Sequence, residues 1–188
     1  MKLNLTPQVS YLAGLCKHKK SKNGIGVAGS TALQAAFAAH VVENMYTAPQ
    51  KIVIKGKQAY FFHSAYAALL KKTLQRQVDA FCHHNEYAAS FLAGLFDSVG
   101  GMHGGNVFLL KCDKHDEAVL EKLGFIVEKK GGIWWVAPAD VFLKFVKNYR
   151  KVDDLLLSGN KLFLKKEPAK KTENRRMPPK KQRAGGRR

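Results

Sequence analysis

Two short segments of this chain carry residues whose types and spacing could do chemistry. The first reads LAGLCKHKK over Leu12–Lys20, and the second reads LAGLFDSVG over Leu92–Gly100. Beyond the shared LAGL letters the first segment is basic, whereas the second contains a single acid. Hard cations such as Mg²⁺ need oxygen ligands, and ammonium groups attract phosphate instead. The first segment therefore predicts an anion site, formed by Lys17, Lys19 and Lys20.

Cysteine and histidine lie close together at three places, which could suggest zinc. These are Cys16 with His18, Cys82 with His83 and His84, and Cys112 with His115. No paired CxxC half-sites accompany them, so we expect buried thiols and surface imidazoles. The sequence predicts no metal and no other cofactor. Three cysteines spaced so far apart also favour a reducing compartment over a disulfide framework.

The charge is strongly basic and is divided between two regions. Lysine and arginine number 32 against 14 acidic residues, which gives a net charge of +18. Residues 165–188 carry +9 of this charge, and the preceding 164 residues carry the other +9. Such a field favours a polyanion. Because no apolar run approaches the roughly 18 residues of a membrane span, we expect a nucleic-acid partner and no membrane association.

The segment 165–188 is rich in Lys, Arg, Pro and Gly, and Met177 is its only large apolar residue. It cannot bury enough surface to fold alone, so we expect it to be disordered until it meets a partner. Its basic residues are predicted to contact nucleic acid: Lys165, Lys166, Lys170, Lys171, Arg175, Arg176, Lys180, Lys181, Arg183, Arg187 and Arg188.

The rest of the chain is duplicated, because each LAGL segment is followed by the same pattern of elements. We assign a first repeat to 1–84, a second repeat to 85–164 and a basic tail to 165–188. In each half the pattern predicts a strand, a helix, a hairpin and a closing helix. These are the strands 24–28 and 104–110, the helices 31–46 and 113–123, the hairpins 51–62 and 125–136, and the closing helices 64–81 and 138–152. Predicted helix caps are Thr6, Ser64, Asn85 and Asp113.

The segments YLAGLCKHKK and FLAGLFDSVGG resemble the motif of the LAGLIDADG homing-endonuclease family, and the resemblance covers residues 5–152. It implies an α+β fold of two pseudo-symmetric αββαββα repeats, with antiparallel sheets that carry helices on one face. It also implies that the two motif helices pack side by side. A glycine inside a helix costs roughly 1 kcal/mol, so its presence in both copies indicates a packing reason. The predicted repeat interface comprises Ala13, Gly14, Ala93 and Gly94.

The resemblance also implies where metal-dependent cleavage would occur. In the family, the acid at the eighth motif position binds the divalent metal, and here that position is Lys19 in one copy and Val99 in the other. Neither side chain is a ligand for Mg²⁺. Asp97 stands at the sixth position, where an acid is usually structural. We therefore expect a protein that is not an enzyme.

Strand alternation predicts which sheet residues would face nucleic acid. In the first hairpin Ile52, Ile54, Ala59 and Phe61 share the core face. The opposite face and the turn carry cations and an aromatic ring, which suit phosphate contact and stacking. The predicted contacts here are Lys51, Lys55, Lys57 and Tyr60. Those in the second half are Lys129, Lys130 and Trp134, with one of the adjacent tryptophans Trp134 and Trp135 expected in the core.

These observations predict a catalytically inactive LAGLIDADG-like protein that binds structured RNA, as a pseudo-dimeric monomer in the ribosome. The partners would be rRNA and neighbouring ribosomal proteins, with no small-molecule substrate. The compartment would be the cytoplasm or an organelle matrix. Two alternatives share the fold: a DNA-binding transcription regulator, which would need base-reading side chains on its sheets, and a maturase-like splicing cofactor that acts on an intron.

Overall fold

The computed structural model describes residues 3–152, so the predictions for the tail 165–188 lie outside the described residues. The first half contains α1 (Pro7–Lys17), β1 (Ile25–Ala28), α2 (Thr31–Asn44), β2 (Val53–Lys55), β3 (Gln58–Phe61), α3 (Ser64–Gln75) and α4 (Gln77–Phe81). The second half contains α5 (Glu86–Val99), β4 (Gly100–His103), β5 (Asn106–Leu109), α6 (Lys114–Lys122), β6 (Ile126–Lys130), β7 (Ile133–Ala137) and α7 (Ala139–Val146). Short 3₁₀ turns lie at Pro49–Lys51 and Lys147–Tyr149.

Each half builds one antiparallel sheet. The first sheet has the order β1-β3-β2, and the second has the order β4-β5-β7-β6. In the first half the strand equivalent to β4 is reduced to a single bridge between Lys20 and Val27. The predicted α+β class with two similar halves is confirmed. β4 was missed by the sequence analysis, which predicted a single strand over 104–110 in this part of the second half.

Several local signals determine where the helices begin. Thr6, Asn85 and Asp113 accept backbone N–H groups at the starts of α1, α5 and α6, as predicted. The prediction that Ser64 caps α3 is wrong, because His63 accepts the N–H of Tyr66 and Ser64 is the first helical residue.

The predicted closing helices are shorter than expected. The helix predicted over 64–81 is divided at Arg76 into α3 and α4. In the second half α7 ends at Val146, and a 3₁₀ turn follows it. Each half therefore closes with a helix and a second short helical piece.

The two halves meet along α1 and α5, whose backbones touch at their glycines. A methyl group added at Gly14 would lie 2.8 Å from the amide nitrogen of Leu95 and closer still to the carbonyl oxygen of Phe91. A methyl group at Gly94 would collide in the same way with the carbonyl oxygen of Tyr11. The neighbouring alanines are fully buried in this contact. The missing side chains thus permit a helix contact that any larger residue would push apart.

One apolar core runs through both halves, between the paired motif helices, the helices around them and the inner faces of the sheets. Among residues 3–152, no helix is long and apolar enough to cross a membrane.

Candidate nucleic-acid interface

Each sheet has an inner face, which contributes to the core, and an outer face turned away from it. In the first sheet Val27, Ala59 and Phe61 belong to the core. The register pairs Tyr60 with Gly26 and with Val53, so these residues lie on the outer face. The alternation predicted for this hairpin is therefore the one that the strands adopt. The prediction that Ile54 belongs to the core is wrong, because its strand β2 lies at the edge of the sheet and Ile54 is 63% exposed.

Exposed lysines surround the outer face of the first sheet. Lys55 ends β2, Lys57 lies in the hairpin turn, and Lys51 lies in the 3₁₀ turn that precedes β2. Lys20 and Lys22, on the segment that leads into β1, are also exposed, and Lys19 is half-buried. These lysines form a group of cations at this edge, and none of the residues just named is acidic. Phosphate could be contacted here.

Tyr60 is less accessible than its predicted role in stacking requires, because only 8% of its surface is exposed. Its ring lies beside Gly24 and packs edge-on against Phe62 at 5.6 Å between centroids. Phe62 is 71% exposed. The exposed aromatic ring beside this sheet is therefore Phe62, directly after β3, which was not among the predicted contacts.

The outer face of the second sheet is more aromatic than basic. The register places Phe108 opposite Gly101 and Trp135, and the rings of Phe108 and Trp135 are 5.8 Å apart. Trp135 is half-buried. Trp134 points to the inner side, where its Nε1 donates to the Glu117 carboxylate at 2.6 Å. Trp134, the predicted nucleic-acid contact, thus lies on the inner side of the sheet, and Trp135 takes the outer position.

The predicted lysines of the second sheet are both exposed but differ in their surroundings. Lys129 lies over the Trp134 ring at 4.5 Å, on the side opposite Trp135. Lys130 forms an ion pair with Glu128. Because that acid neutralises part of its charge, Lys130 offers less to a phosphate than the lysines of the first sheet.

The residues at the eighth motif positions do not fit a divalent metal. Val99 is fully buried as the last residue of α5, and Lys19 lies two residues beyond the end of α1. An apolar side chain and an ammonium group provide no oxygen ligand for Mg²⁺ or Mn²⁺. These two side chains therefore supply no ligand for a divalent metal.

Lys17 is the predicted contact whose surroundings depart furthest from expectation. Its side chain is only 10% exposed, and its ammonium lies 2.7 Å from Asp116, 2.9 Å from Asp113 and 2.7 Å from the Gln77 amide oxygen. His18 adds a contact of 2.7 Å to the other oxygen of Asp116. With its charge used inside the protein, Lys17 cannot serve as a phosphate contact, and that part of the predicted anion site is wrong.

This cluster includes three groups that could hold a metal, since ligand atoms of His18, Asp113 and Asp116 lie within 4.8 Å of one another. The Lys17 ammonium contacts both carboxylates and supplies the positive charge that a cation would bring. Burial raises the pKa of the Asp116 carboxyl, but His18 and Lys17 more than offset this effect and hold the pKa at about 2. The cluster is thus a link of paired charges and hydrogen bonds between the end of α1 and the start of α6.

Asp97 is the sixth-position residue of the second motif and is also buried. Its carboxylate accepts from the Tyr11 hydroxyl at 3.0 Å, the Lys151 backbone N–H at 2.7 Å and the Val152 N–H at 3.2 Å. The Arg150 guanidinium lies 3.2 Å away. Burial raises the pKa of the Asp97 carboxyl, although these partners favour its charged form. Asp97 therefore has a structural role, and fixes the chain that follows α7.

Two halves joined by paired glycine-bearing helices, each with an antiparallel sheet, define the fold of LAGLIDADG homing endonucleases. The solved structures that share it include mesophilic variants of the homing endonuclease I-DmoI, with a TM-score of 0.50 and 12% identity over 76% of this chain and 96% of that one. A variant of I-DmoI in complex with its target DNA and Mn also has a TM-score of 0.50, with 15% identity over 76% of this chain and 92% of that one. For I-DmoI with DNA and Mn, the TM-score is 0.50 at 13% identity, over 80% and 99% of the two chains. No family model matches this sequence, nor does any curated protein. At these identities the likeness shows the fold.

Proposed function

We propose that this protein binds nucleic acid over the outer faces of its two sheets and does not cut it. The observation that carries the proposal is the pair of residues at the eighth motif positions, where the half-buried Lys19 and the buried Val99 stand in place of two acids. Metal ions that assist phosphoryl chemistry need carboxylate ligands close to the scissile phosphate. Lys19 and Lys20 would instead hold a phosphate in place.

We further propose that the ligand is structured RNA and that the protein is a permanent component of a ribonucleoprotein, with the ribosome as the host. The outer faces offer cations and aromatic rings, which read charge and shape. Gln58, a side chain suited to reading base edges, already accepts from the Ser21 hydroxyl at 2.8 Å and the Lys22 N–H at 3.0 Å. The +9 charge of residues 165–188 would add a second set of phosphate contacts.

A DNA-binding regulator is the second candidate, and one observation favours it. Two of the solved structures with this fold contain an endonuclease bound to DNA. A regulator would also bind without cutting. It would, however, need free base-reading side chains, and Asn106, on the outer face of the second sheet, already donates to the Gly104 carbonyl at 3.2 Å.

The experiment that separates these candidates is sedimentation of the full chain from its source cells on a sucrose gradient at moderate salt. We expect the protein to migrate with ribosomal subunits and to be released by ribonuclease. A Lys55→Ala/Lys57→Ala variant should be partly released at a salt concentration that leaves a Lys144→Ala control bound. Migration with chromatin or as free protein would reject the ribosomal proposal.

A further inference from the structure

Phe62 is an exposed aromatic ring that its neighbours hold in a fixed position beside the first sheet. Its backbone lies between the end of β3 and His63, whose imidazole caps α3. The ring packs edge-on against Tyr60, and a methyl group added at Gly24 would lie 3.3 Å from each of these two rings. Phe62 is nevertheless 71% exposed, so this ring gains little from the core and is presented to solvent.

The half of the molecule that carries this ring is strongly basic. Residues 3–84 contain ten basic and two acidic residues. The acids are Glu43 at the end of α2, which lies 3.5 Å from the Lys151 ammonium, and Asp79 in α4, which lies 3.6 Å from Arg76. Both acids lie on helices, so within residues 3–84 the outer face of the sheet carries cations and no acid.

Two of these cations lie on a segment that is attached to the same face as the ring. Gln58 shares the outer face with Tyr60 and precedes Phe62 by four residues, roughly 13 Å of extended chain. The Oε1 of Gln58 accepts the Ser21 hydroxyl at 2.8 Å and the Lys22 N–H at 3.0 Å. These hydrogen bonds hold the segment of Lys20 and Lys22 beside the outer face. The ring and the two lysines therefore border one surface, which a segment of a few nucleotides can span.

We propose that the outer face of the first sheet binds an unpaired stretch of the RNA, with one base stacked on Phe62 and the neighbouring phosphates on Lys20 and Lys22. The inference rests on the proposed function and names the part of the RNA that this sheet recognises. A flat aromatic ring gains by stacking on the face of a base, and in a duplex those faces are covered by the neighbouring base pairs. Because every base has such a face, the contact selects unpaired nucleotides without selecting a sequence.

The second sheet is less suited to this role. Its outer ring, Trp135, is half-buried, and the strand register places Glu128 opposite it. A phosphate beside a base stacked on Trp135 would meet this carboxylate, and like charges repel. We therefore expect Phe62 to be the ring on which the selection of unpaired RNA depends.

Fluorescence anisotropy with the full chain and two labelled RNAs tests the inference. One RNA is a hairpin with a uridine-rich loop, and the other is a fully paired duplex with the same number of phosphates, at the same salt concentration. We expect Phe62→Ala to weaken binding of the hairpin about tenfold, within the range for the loss of one stacked base, and to weaken binding of the duplex less than about twofold. Phe62→Tyr keeps a flat ring and should bind the hairpin as the wild-type chain does. Phe62→Leu is apolar without being flat and should bind as weakly as Phe62→Ala.

The possible outcomes keep the inference apart from the proposed function. Binding of both RNAs that Phe62→Ala leaves unchanged would overturn the inference and leave the proposed function standing. An equal loss on the hairpin and the duplex would also overturn it, because the ring would then act as a wedge between paired bases. Full binding of the hairpin by Phe62→Leu would rule out stacking. If the wild-type chain binds neither RNA, the proposed function itself fails. Val141→Ala, an exposed apolar position on α7, is the matched control and should change neither affinity.

Discussion

The two motif helices carry opposite charges at their sixth positions, and each charge is buried. Lys17 on α1 joins Gln77 of its own half to the acids of α6 in the other half. Asp97 on α5 joins the chain after α7 of its own half to Tyr11 of the other half. Each residue therefore connects the closing segment of its own half to the opposite half. The connecting residue is the cation Lys17 in the first half and the anion Asp97 in the second.

The difference between them lies in the kind of partner that each buried carboxylate has. Asp116, the main partner of Lys17, has a side chain with no exposed surface, contacts the Lys17 ammonium and the His18 imidazole, and accepts from the Gln77 amide and the Asp113 backbone N–H. Asp97 accepts three hydrogen bonds in addition to the Arg150 contact, and two of them come from the backbone. The sixth motif positions thus hold contacts between the two halves, and these contacts are made mainly by side chains around Asp116 and equally by side chains and backbone around Asp97.

The largest expected effect comes from Lys17→Met, which keeps the length of the side chain and removes its charge. The variant leaves Asp116 and Asp113 facing each other without the ammonium, and breaking a buried ion pair costs about 3–5 kcal/mol. Urea unfolding would measure the change in the free energy of unfolding. Lys20→Met, at an exposed position, is the matched control and should change stability by less than about 0.5 kcal/mol. A Lys17 variant as stable as the control would show that the link is not structural.

A smaller loss is expected for Asp97→Asn. The amide can still accept hydrogen bonds but offers no charge to Arg150, and charged hydrogen bonds contribute about 1.5–3 kcal/mol. Thermal unfolding should show a loss at the lower end of this range. A loss equal to that of Lys17→Met would remove the difference between the two halves.

Acid should act on the two buried carboxyls in opposite directions. The pKa of Asp116 is about 2 in the folded chain against an ordinary 3.8, so the unfolded chain binds more protons between these values and stability falls as the pH falls. This loss amounts to about 2 kcal/mol. For Asp97, whose pKa is raised above the ordinary 3.8, the folded chain binds the proton more readily, and this contribution to stability is lost as the pH rises above 3.8.

Denaturant unfolding of two variants between pH 5 and pH 2 separates these contributions. The Asp116→Asn variant should no longer show the fall in stability as the pH falls, and the Asp97→Asn variant should still show it. Equal acid sensitivity of both variants would refute the assignment to Asp116.

The smallest expected effect compares the lysines of the two sheets. Lys57→Ala should lower the salt slope of RNA binding by about 1, which corresponds to one phosphate contact. Lys130→Ala should lower it by less, because Glu128 already pairs with that lysine. Filter binding across a series of KCl concentrations measures both slopes. Equal slopes would indicate that the two sheets contribute alike.

The sequence predicted the fold well because the repeated LAGL segments, the caps at Thr6, Asn85 and Asp113 and the hairpin glycines are local signals. It predicted the surroundings of the site residues less well, because their contact partners lie far away along the chain. Nothing local to Lys17 indicates that Asp113 and Asp116 will enclose it. The sequence indicates that Asp113 caps α6. Its contact with Lys17 of α1 depends on the packing of the two halves.

The tryptophan pair shows the same limit. Alternation required one ring of Trp134 and Trp135 on each face, and it could not say which. The choice depends on register, because Trp135 pairs with Phe108, whereas Trp134 pairs with Leu109 of the core.

We propose that this chain binds nucleic acid without metal-dependent cleavage. The most direct measurement incubates the purified full chain with labelled structured RNA and with duplex DNA, in the presence of Mg²⁺ or Mn²⁺, and follows binding and strand cleavage on parallel gels. We expect retarded but intact nucleic acid, with binding weakened by salt and unchanged by EDTA. Metal-dependent cleavage that is lost in EDTA would contradict the account.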